Sequence, residues 1–143
     1  MINSSTVCVD ASLVVRRVVS RSDSFHSQWE SWAQENTHLV APSLLYYEVT
    51  NGLYRYEKSG VLPLEAVNKS LAAALALPIQ LFGDADLHRQ AKSLAKKYSL
   101  NATYDAHYLA LAERMGIVLY TADARLVNTL QPFKVDWVYL AVG

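Results

Sequence analysis

Four carboxylates stand where apolar segments end or where amphipathic segments continue, and they are the side chains best suited to chemistry. Asp10 directly follows a short apolar run, and Asp123 follows another after two intervening residues. Glu48 and Asp105 lie inside segments with helical periodicity, on faces that are otherwise apolar. A carboxylate on an apolar face must be paired, bound to a metal or open to a cavity, because an unpaired buried charge is costly. Oxygen ligands without a Cys or His set favour a hard cation such as Mg²⁺ or Mn²⁺.

Each of these acids also has a purely structural explanation. Asp10 and Asp123 suit helix N-caps, although Ser12 is an equally good cap for the first helix. Asp105 suits a first helical turn, where acids interact favourably with the helix dipole, and Glu48 suits a buried salt bridge. Together the four indicate function more strongly than they do singly, because neighbouring carboxylates cannot all stay ionised without a positive group between them.

Short apolar runs alternate with amphipathic segments along the chain, which predicts strands alternating with helices. The predicted strands are Thr6–Val9, His38–Ala41, Ile79–Phe82, Ile117–Tyr120 and Asp136–Leu140. The predicted helices are Ser12–Val19, Ser22–Glu35, Ser43–Lys58, Leu64–Leu77, a helix capped by Asp84 that runs to Tyr98, one capped by Thr103 that runs to Met115, and Ala122–Leu130.

Strands that are apolar on both faces are typical of a parallel sheet covered on both sides. The sequence therefore predicts a three-layer α/β/α sandwich with a mostly parallel central sheet of about five strands. Ligands of such sheets bind at the carboxyl ends of the strands. Because each of the four acids lies at a predicted strand exit or in the following helix, we expect them to gather at one edge of the sheet.

Composition limits the other possibilities. The 143 residues suit one domain, which we assign to residues 1–143, and 52% of them are hydrophobic, so a packed core is expected. Thirteen Lys and Arg balance thirteen Asp and Glu, so any nucleic-acid site has to be a local basic groove. The single cysteine, Cys8, excludes an intrachain disulfide and sits between valines, as a buried thiol would.

The chain shows no signal-peptide pattern and no membrane span. Its longest apolar stretch, Leu71–Ile79, is far short of the roughly 20 residues that a membrane span needs. We therefore expect a cytoplasmic protein with no membrane partner.

Four motifs, in order, resemble those of the PIN-domain ribonucleases, and among these the toxin half of VapBC-type toxin–antitoxin pairs. The resemblance covers nearly the whole chain. The motifs are Val9-Asp10-Ala11-Ser12, Leu45-Tyr46-Tyr47-Glu48-Val49-Thr50-Asn51, Tyr104-Asp105-Ala106-His107-Tyr108-Leu109-Ala110-Leu111-Ala112 and Leu119-Tyr120-Thr121-Ala122-Asp123-Ala124-Arg125-Leu126.

The resemblance implies a site and a set of partners. In the family the four acids surround one or two divalent ions, Mg²⁺ or Mn²⁺, and take part in catalysis. Accessory polar positions of the family match Ser12, Asn51 and Thr121. The resemblance further implies an RNA substrate, a VapB-like antitoxin and a homodimer.

The resulting hypothesis is metal-assisted hydrolysis of RNA phosphodiester bonds. We expect Asp10, Glu48 and Asp105 to hold a metal, and Asp123 to bind or position a second one. Such a metal would lower the pKa of a bound water and neutralise charge that develops on the phosphate.

Basic and aromatic side chains supply further candidates. Arg16 and Arg17, close to the first motif, are candidates for contacts with the RNA backbone. His107 lies two positions from Asp105 and therefore on a different helix face, so we interpret it as structural. Exposed members of an aromatic set on two neighbouring helices would form a dimer or antitoxin surface. This set is Trp29, Trp32, Tyr46, Tyr47, Tyr54 and Tyr56.

Two other classes of enzyme are excluded because residues that they require are missing. Two alternatives with the same fold remain open. A phosphatase of the haloacid dehalogenase type needs a second Asp two residues after Asp10, where this chain has Ser12. A receiver domain needs an acidic pair before the first strand, and Asn3-Ser4-Ser5 offers none. A PIN-like RNA-binding module without turnover remains possible, as does a PIN nuclease that processes RNA or cuts DNA outside a toxin–antitoxin system.

Overall fold

The computed structural model of the protein describes residues 5–20 and 23–141, with the side chains of residues 23–25 left aside. Ser22, at which the second helix was predicted to begin, lies outside these ranges. Within the described ranges, no helix combines the length and the apolar character needed to cross a membrane.

The described strands form one five-stranded sheet in which every neighbouring pair is parallel. The prediction of a mostly parallel sheet of about five strands is therefore confirmed. The strand order is β3-β2-β1-β4-β5. The strands are β1 (Thr6–Val9), β2 (His38–Pro42), β3 (Ile79–Phe82), β4 (Val118–Thr121) and β5 (Val138–Leu140).

Helices connect each strand to the next. In the described residues they are α1 (Ala11–Val19), α2 (Asp23–Gln34), α3 (Leu45–Lys58), α4 (Leu64–Leu75), α5 (Ala85–Lys97), α6 (Tyr104–Met115) and α7 (Ala124–Leu130). A 3-10 turn, Gln131–Phe133, follows α7 and was not predicted.

The order of the strands creates a switch point beside β1. The connections β1–β2 and β2–β3 run in one direction along the sheet, whereas the connections that start from β3 and β4 run in the other. Right-handed crossovers therefore put α1, α3 and α4 on one face and α5 and α6 on the opposite face. After β1 the chain therefore turns to one face of the sheet, and after the neighbouring strand β4 it turns to the other face. This divergence leaves a crevice at the carboxyl ends of the two strands.

The core fills the space between the sheet and both helical layers. On one side α6 presents a continuous buried run from Tyr108 to Ala112, and it packs directly on β1 and β2. On the other side α1 packs on α3 and α4. Gly52 of α3 faces Val15 of α1, and a Cβ there would lie 3.4 Å from Cγ2 of Val15, which is ordinary van der Waals contact, so the two helices pack against each other at this point. This packing matters because both helices line the site.

Several predicted element ends were wrong by one or two residues. Asp10, rather than Ser12, caps α1, because its carboxylate accepts the Leu13 amide at 3.0 Å. Thr103 occupies the N-cap position of α6 as predicted, but its side chain makes no capping hydrogen bond. Asp84 caps α5 as predicted, through the Leu87 amide.

Candidate active site

Asp10 lies at the switch point, at the end of β1. Its backbone amide donates to the Tyr120 carbonyl at 3.3 Å, so the parallel pairing of β1 and β4 continues up to this residue. The side chain is only 4% exposed. Burial raises the pKa of Asp10 from its ordinary 3.8 to about 6, even though hydrogen bonds to Thr121, Ser12 and Leu13 lower it. Such a raised pKa indicates a carboxylate that lacks a counter-charge.

Two hydroxyl groups fix the orientation of this carboxylate. Ser12 donates to Oδ1 at 2.7 Å, and Thr121 donates to Oδ2 at 2.5 Å. The same hydroxyls accept backbone amides of the loop after β4: Ala122 donates to Ser12 at 3.0 Å, and Asp123 donates to Thr121 at 3.0 Å. Ser12 and Thr121 therefore tie the end of β1 to the loop that carries the fourth acid.

Glu48 reaches the same region from α3. Its Oε1 accepts a hydrogen bond from the Tyr108 hydroxyl at 2.7 Å. Desolvation raises the pKa of Glu48, this hydrogen bond lowers it, and the charge of Asp105 raises it further. Glu48 and Asp105 line the same pocket, although 57 positions of sequence separate them.

Asp105 connects the other three acids. It lies in the first turn of α6 and is half-buried, and desolvation raises its pKa, as does the charge of Asp123. Its own charge acts on Asp10 as well as on Glu48. Asp123 caps α7 through the Arg125 amide at 3.0 Å. The structural explanation for Asp123 is therefore correct, and it is compatible with a place in the cluster.

The cluster has the chemistry of a hard-cation site. The two salt bridges among the described residues join Arg89 to Asp86 and Arg114 to Asp84, away from the cluster. The four acids thus offer buried or half-buried oxygens, and no ion pair among the described residues neutralises them, which fits Mg²⁺ or Mn²⁺. No three such ligand groups of the described residues are already close enough to hold an ion. Binding of one ion by three of these carboxylates therefore requires them to move closer together.

Two grooves meet at Glu48 and Asp123. The larger, of 990 Å³, runs between α1 and α3. Asn51 and Arg16 line it as exposed side chains, together with Arg55. The smaller, of 400 Å³, lies between the loop before α6 and the start of α7. Asp105 and Arg125 line this second groove. A chain passing from one groove to the other would cross the carboxylates.

Two residues that the sequence analysis considered, Arg17 and His107, lie outside the acidic cluster and its larger groove. Arg17 is half-buried, is not among the groove-lining residues, and has a buried Nε with no hydrogen-bond partner in the described part of the chain. His107 donates from Nδ1 to the Thr103 carbonyl at 2.7 Å, and its Nε2 lies 2.9 Å from Nδ1 of His88. These contacts join α5 to α6 and support the structural interpretation of His107.

Known proteins are similar to this chain in sequence and in fold. The family model for the PIN domain matches residues 7–129. The chain belongs to the PIN domain family. It is 32% identical over 122 residues to "Ribonuclease VapC3" of Mycobacterium tuberculosis, an alignment that covers 85% of each chain.

Solved structures agree with this assignment. PAE2754 from Pyrobaculum aerophilum superposes with a TM-score of 0.67 at 25% identity, over 87% of this chain and 79% of that one. A chain of a toxin–antitoxin complex from Klebsiella pneumoniae superposes with a TM-score of 0.68 at 15% identity, over 95% of this chain and 98% of that one, and shows the shared fold. The predicted family and the three-layer fold are thereby confirmed.

Sequence reasoning missed three groove or site residues. Arg55 lies seven positions after Glu48 and four after Asn51, so helical periodicity alone puts it on their face. Arg125 lowers the pKa of Asp105 by its charge, and its sequence signal is its position two residues after Asp123. Tyr108 belongs to the third motif, and no sequence pattern indicates its hydrogen bond to Glu48.

Proposed function

We propose that this PIN domain is a metal-dependent endoribonuclease of the VapC type, and that Asp10, Glu48, Asp105 and Asp123 form its catalytic site. The observation that carries the proposal is the gathering of four carboxylates near the β1–β4 switch point, where Asp105 interacts electrostatically with each of the other three, without a described ion pair. Membership of the PIN family and the similarity to a ribonuclease support the choice of RNA as substrate.

Different residues of the site have different roles in this proposal. Asp10, Glu48 and Asp105 would hold one divalent cation, and Asp123 would bind or position a second. When bound, such cations supply a more acidic water and neutralise charge on the phosphate. Ser12 and Thr121 keep Asp10 oriented through the hydrogen bonds described above.

The larger groove supplies the cationic surface that an RNA backbone requires. Arg16 and Arg55 line it on opposite helices, with Asn51 between Arg55 and the carboxylates along α3. Because the formal net charge of the chain is zero, local cations of this kind have to provide the attraction for phosphate. We retain Arg17 as a weaker candidate, since it does not line this groove.

The decisive experiment is cleavage of a mixed RNA pool with Mg²⁺ or Mn²⁺, comparing the wild type with Asp105→Asn. Asp86→Asn is the matched control, because Asp86 is an exposed acid outside the cluster that pairs with Arg89 on the same helix, α5. The wild type and the control should cleave RNA until EDTA is added, and Asp105→Asn should not cleave it. Cleavage that persists in EDTA, or in Asp105→Asn, would contradict the proposal. A folded wild type that binds RNA but never cleaves it would favour the binding-module alternative.

We also propose that the protein acts in the cytoplasm as a homodimer that a VapB-like antitoxin neutralises. The similarity to a VapC ribonuclease supports this, as does the apolar surface of α3, where Tyr47 is 77% exposed and Tyr54 is 54% exposed. Light scattering of the purified protein should give twice the chain mass. Expression of the chain should arrest growth unless the product of an adjacent small gene is expressed with it.

A further inference from the structure

The hydrogen bond between Tyr108 and Glu48 connects a fully buried phenol to a carboxylate at the mouth of both grooves. The donor and acceptor oxygens are 2.7 Å apart, and Tyr108 is 1% exposed. A hydrogen bond to an ionised carboxylate is short and about twice as strong as one between neutral groups. Its strength in this buried setting makes it a means of fixing the direction of Glu48.

The position of Tyr108 is itself fixed by the elements that carry the other acids. Tyr108 lies three residues after Asp105 on α6, so both side chains project from the same face of the helix. Its carbonyl accepts a hydrogen bond from the Cys8 thiol, with the sulfur 3.8 Å away. Cys8 lies on β1, two residues before Asp10. Through the phenol, Glu48 is therefore attached to α6, which carries Asp105, and through α6 to β1, which precedes Asp10.

The hydroxyl is a permanent donor. A tyrosine hydroxyl has an ordinary pKa of about 10, so it carries its proton and donates at neutral pH. It engages one oxygen of Glu48 only. In the part of the chain that the structure describes, the other oxygen, Oε2, has no hydrogen-bond donor and remains available to a ligand.

We propose that Tyr108 is a positioning residue, whose hydroxyl holds Oε1 of Glu48 so that Oε2 is directed to the divalent cation. This inference rests on the proposed function, since it takes Glu48 to be a metal ligand. Partners that orient metal-binding side chains typically contribute roughly 10–100-fold to metal affinity. Tyr108 thereby sets how tightly the site binds its cation without touching the substrate.

The test is calorimetric titration of the whole protein with Mn²⁺, supported by the electron paramagnetic resonance of bound Mn²⁺. Tyr108→Phe removes the hydroxyl and keeps the ring that fills the core. Tyr46→Phe is the matched control, because it removes a tyrosine hydroxyl from α3 that donates to the Ala74 carbonyl at 2.8 Å, outside the cluster. Tyr108→Phe should raise the Kd for Mn²⁺ roughly 10–100-fold, and Tyr46→Phe should leave it unchanged.

A double-mutant cycle with Glu48→Gln separates positioning from a general structural effect. If Tyr108 acts through Glu48, Tyr108→Phe should not weaken Mn²⁺ binding further once Glu48 is Gln. In cleavage assays, Tyr108→Phe should need more Mg²⁺ for half-maximal rate and should recover most of its kcat at saturating Mg²⁺. Circular dichroism and urea unfolding confirm that each variant is folded before it is titrated.

The outcomes separate this inference from the proposal beneath it. A wild type that binds Mn²⁺ no better than Asp105→Asn overturns both. A wild type that binds Mn²⁺ in an Asp105-dependent way, with an unchanged Kd in Tyr108→Phe, overturns only the inference. An equal loss of affinity from Tyr108→Phe in the presence and absence of Glu48 also overturns it, because the hydroxyl would then act through the fold.

Discussion

Replacing Asp10 with Asn should remove a pH-dependent penalty on folding. Asp10 is 4% exposed and accepts three hydrogen bonds, and burial raises its pKa from its ordinary 3.8 to about 6. Because the pKa is higher in the folded than in the unfolded state, the folded protein retains a proton between these values that the unfolded chain releases. The free energy of unfolding therefore falls as the pH rises through this window.

The size of this penalty follows from the shift. One pKa unit corresponds to about 1.4 kcal/mol, so a rise from 3.8 to about 6 costs about 3 kcal/mol once the pH exceeds both values. Of this, about 2 kcal/mol should develop between about pH 4.5 and about pH 7.5. Asn has a similar shape and accepts the Leu13 amide in the same way, but it cannot ionise, so the penalty is absent in the variant.

The assay is urea unfolding of the wild type and Asp10→Asn in EDTA across this pH range. The free energy of unfolding of Asp10→Asn, minus that of the wild type, should increase with pH by about 2 kcal/mol. Saturating Mn²⁺ at neutral pH should stabilise the wild type and leave Asp10→Asn almost unchanged.

A difference in stability that does not vary with pH would refute this reasoning. It would mean that Asp10 is neutralised in the folded protein by a group other than its hydroxyl and amide donors. A difference that decreases with pH would be a stronger contradiction, because Asp10 would then have a lowered pKa, as the partner of a cation does.

Three further substitutions test the groove, the hydroxyl network and the fold. Arg55→Ala should raise KM for RNA and reduce the salt dependence of binding by about one counterion, while Arg89→Ala on α5 should change neither. Thr121→Val removes a hydrogen bond that lowers the pKa of Asp10, so the acid limb of the pH profile of kcat/KM should move to higher pH. An unmoved limb would show that Thr121 does not lower the pKa of Asp10. Gly116→Ala places a side chain on a residue with φ 64°, so the free energy of unfolding in urea should fall by about 1 kcal/mol. An unchanged urea midpoint would show that this backbone conformation does not strain the alanine variant.

The strands and the gathering of the acids were predictable from local pattern. Short apolar runs define strands buried on both faces, and polar residues at their exits are directed to one edge of a parallel sheet. Asp10 is an example, since the run Thr6–Val9 fixes the strand and the next residue has to emerge at its carboxyl end. A cysteine within this run, Cys8, is buried as its valine neighbours indicated.

Details that depend on tertiary contacts were not predictable. The sequence left open whether Asp10 or Ser12 caps the first helix; the structure chooses Asp10 because the Ser12 hydroxyl turns to Asp10 and accepts the Ala122 amide, 110 positions away. Arg55 lines a groove that exists only because α1 and α3 pack side by side, which the sequence of α3 alone does not reveal.

The same limit applies to the candidate site and to aromatic side chains. Tyr108 has the burial of a core residue, and its second role appears only when α3 and α6 are packed together. Trp32 contacts Tyr120 of β4, with ring centroids 5.1 Å apart, so it belongs to the core rather than to a partner surface. Only the exposed members of the aromatic set, Tyr47 and Tyr54, remain candidates for such a surface.

The most direct test of the central claim is the position of Mn²⁺ in a crystal of the protein, located by its anomalous scattering. A peak whose ligands include Asp10 and Asp105, and which is lost in crystals of Asp105→Asn, is the predicted result. A fully occupied peak elsewhere, for example at the His88–His107 pair, with none at the four carboxylates, would contradict the claim that these acids form the metal centre of a ribonuclease.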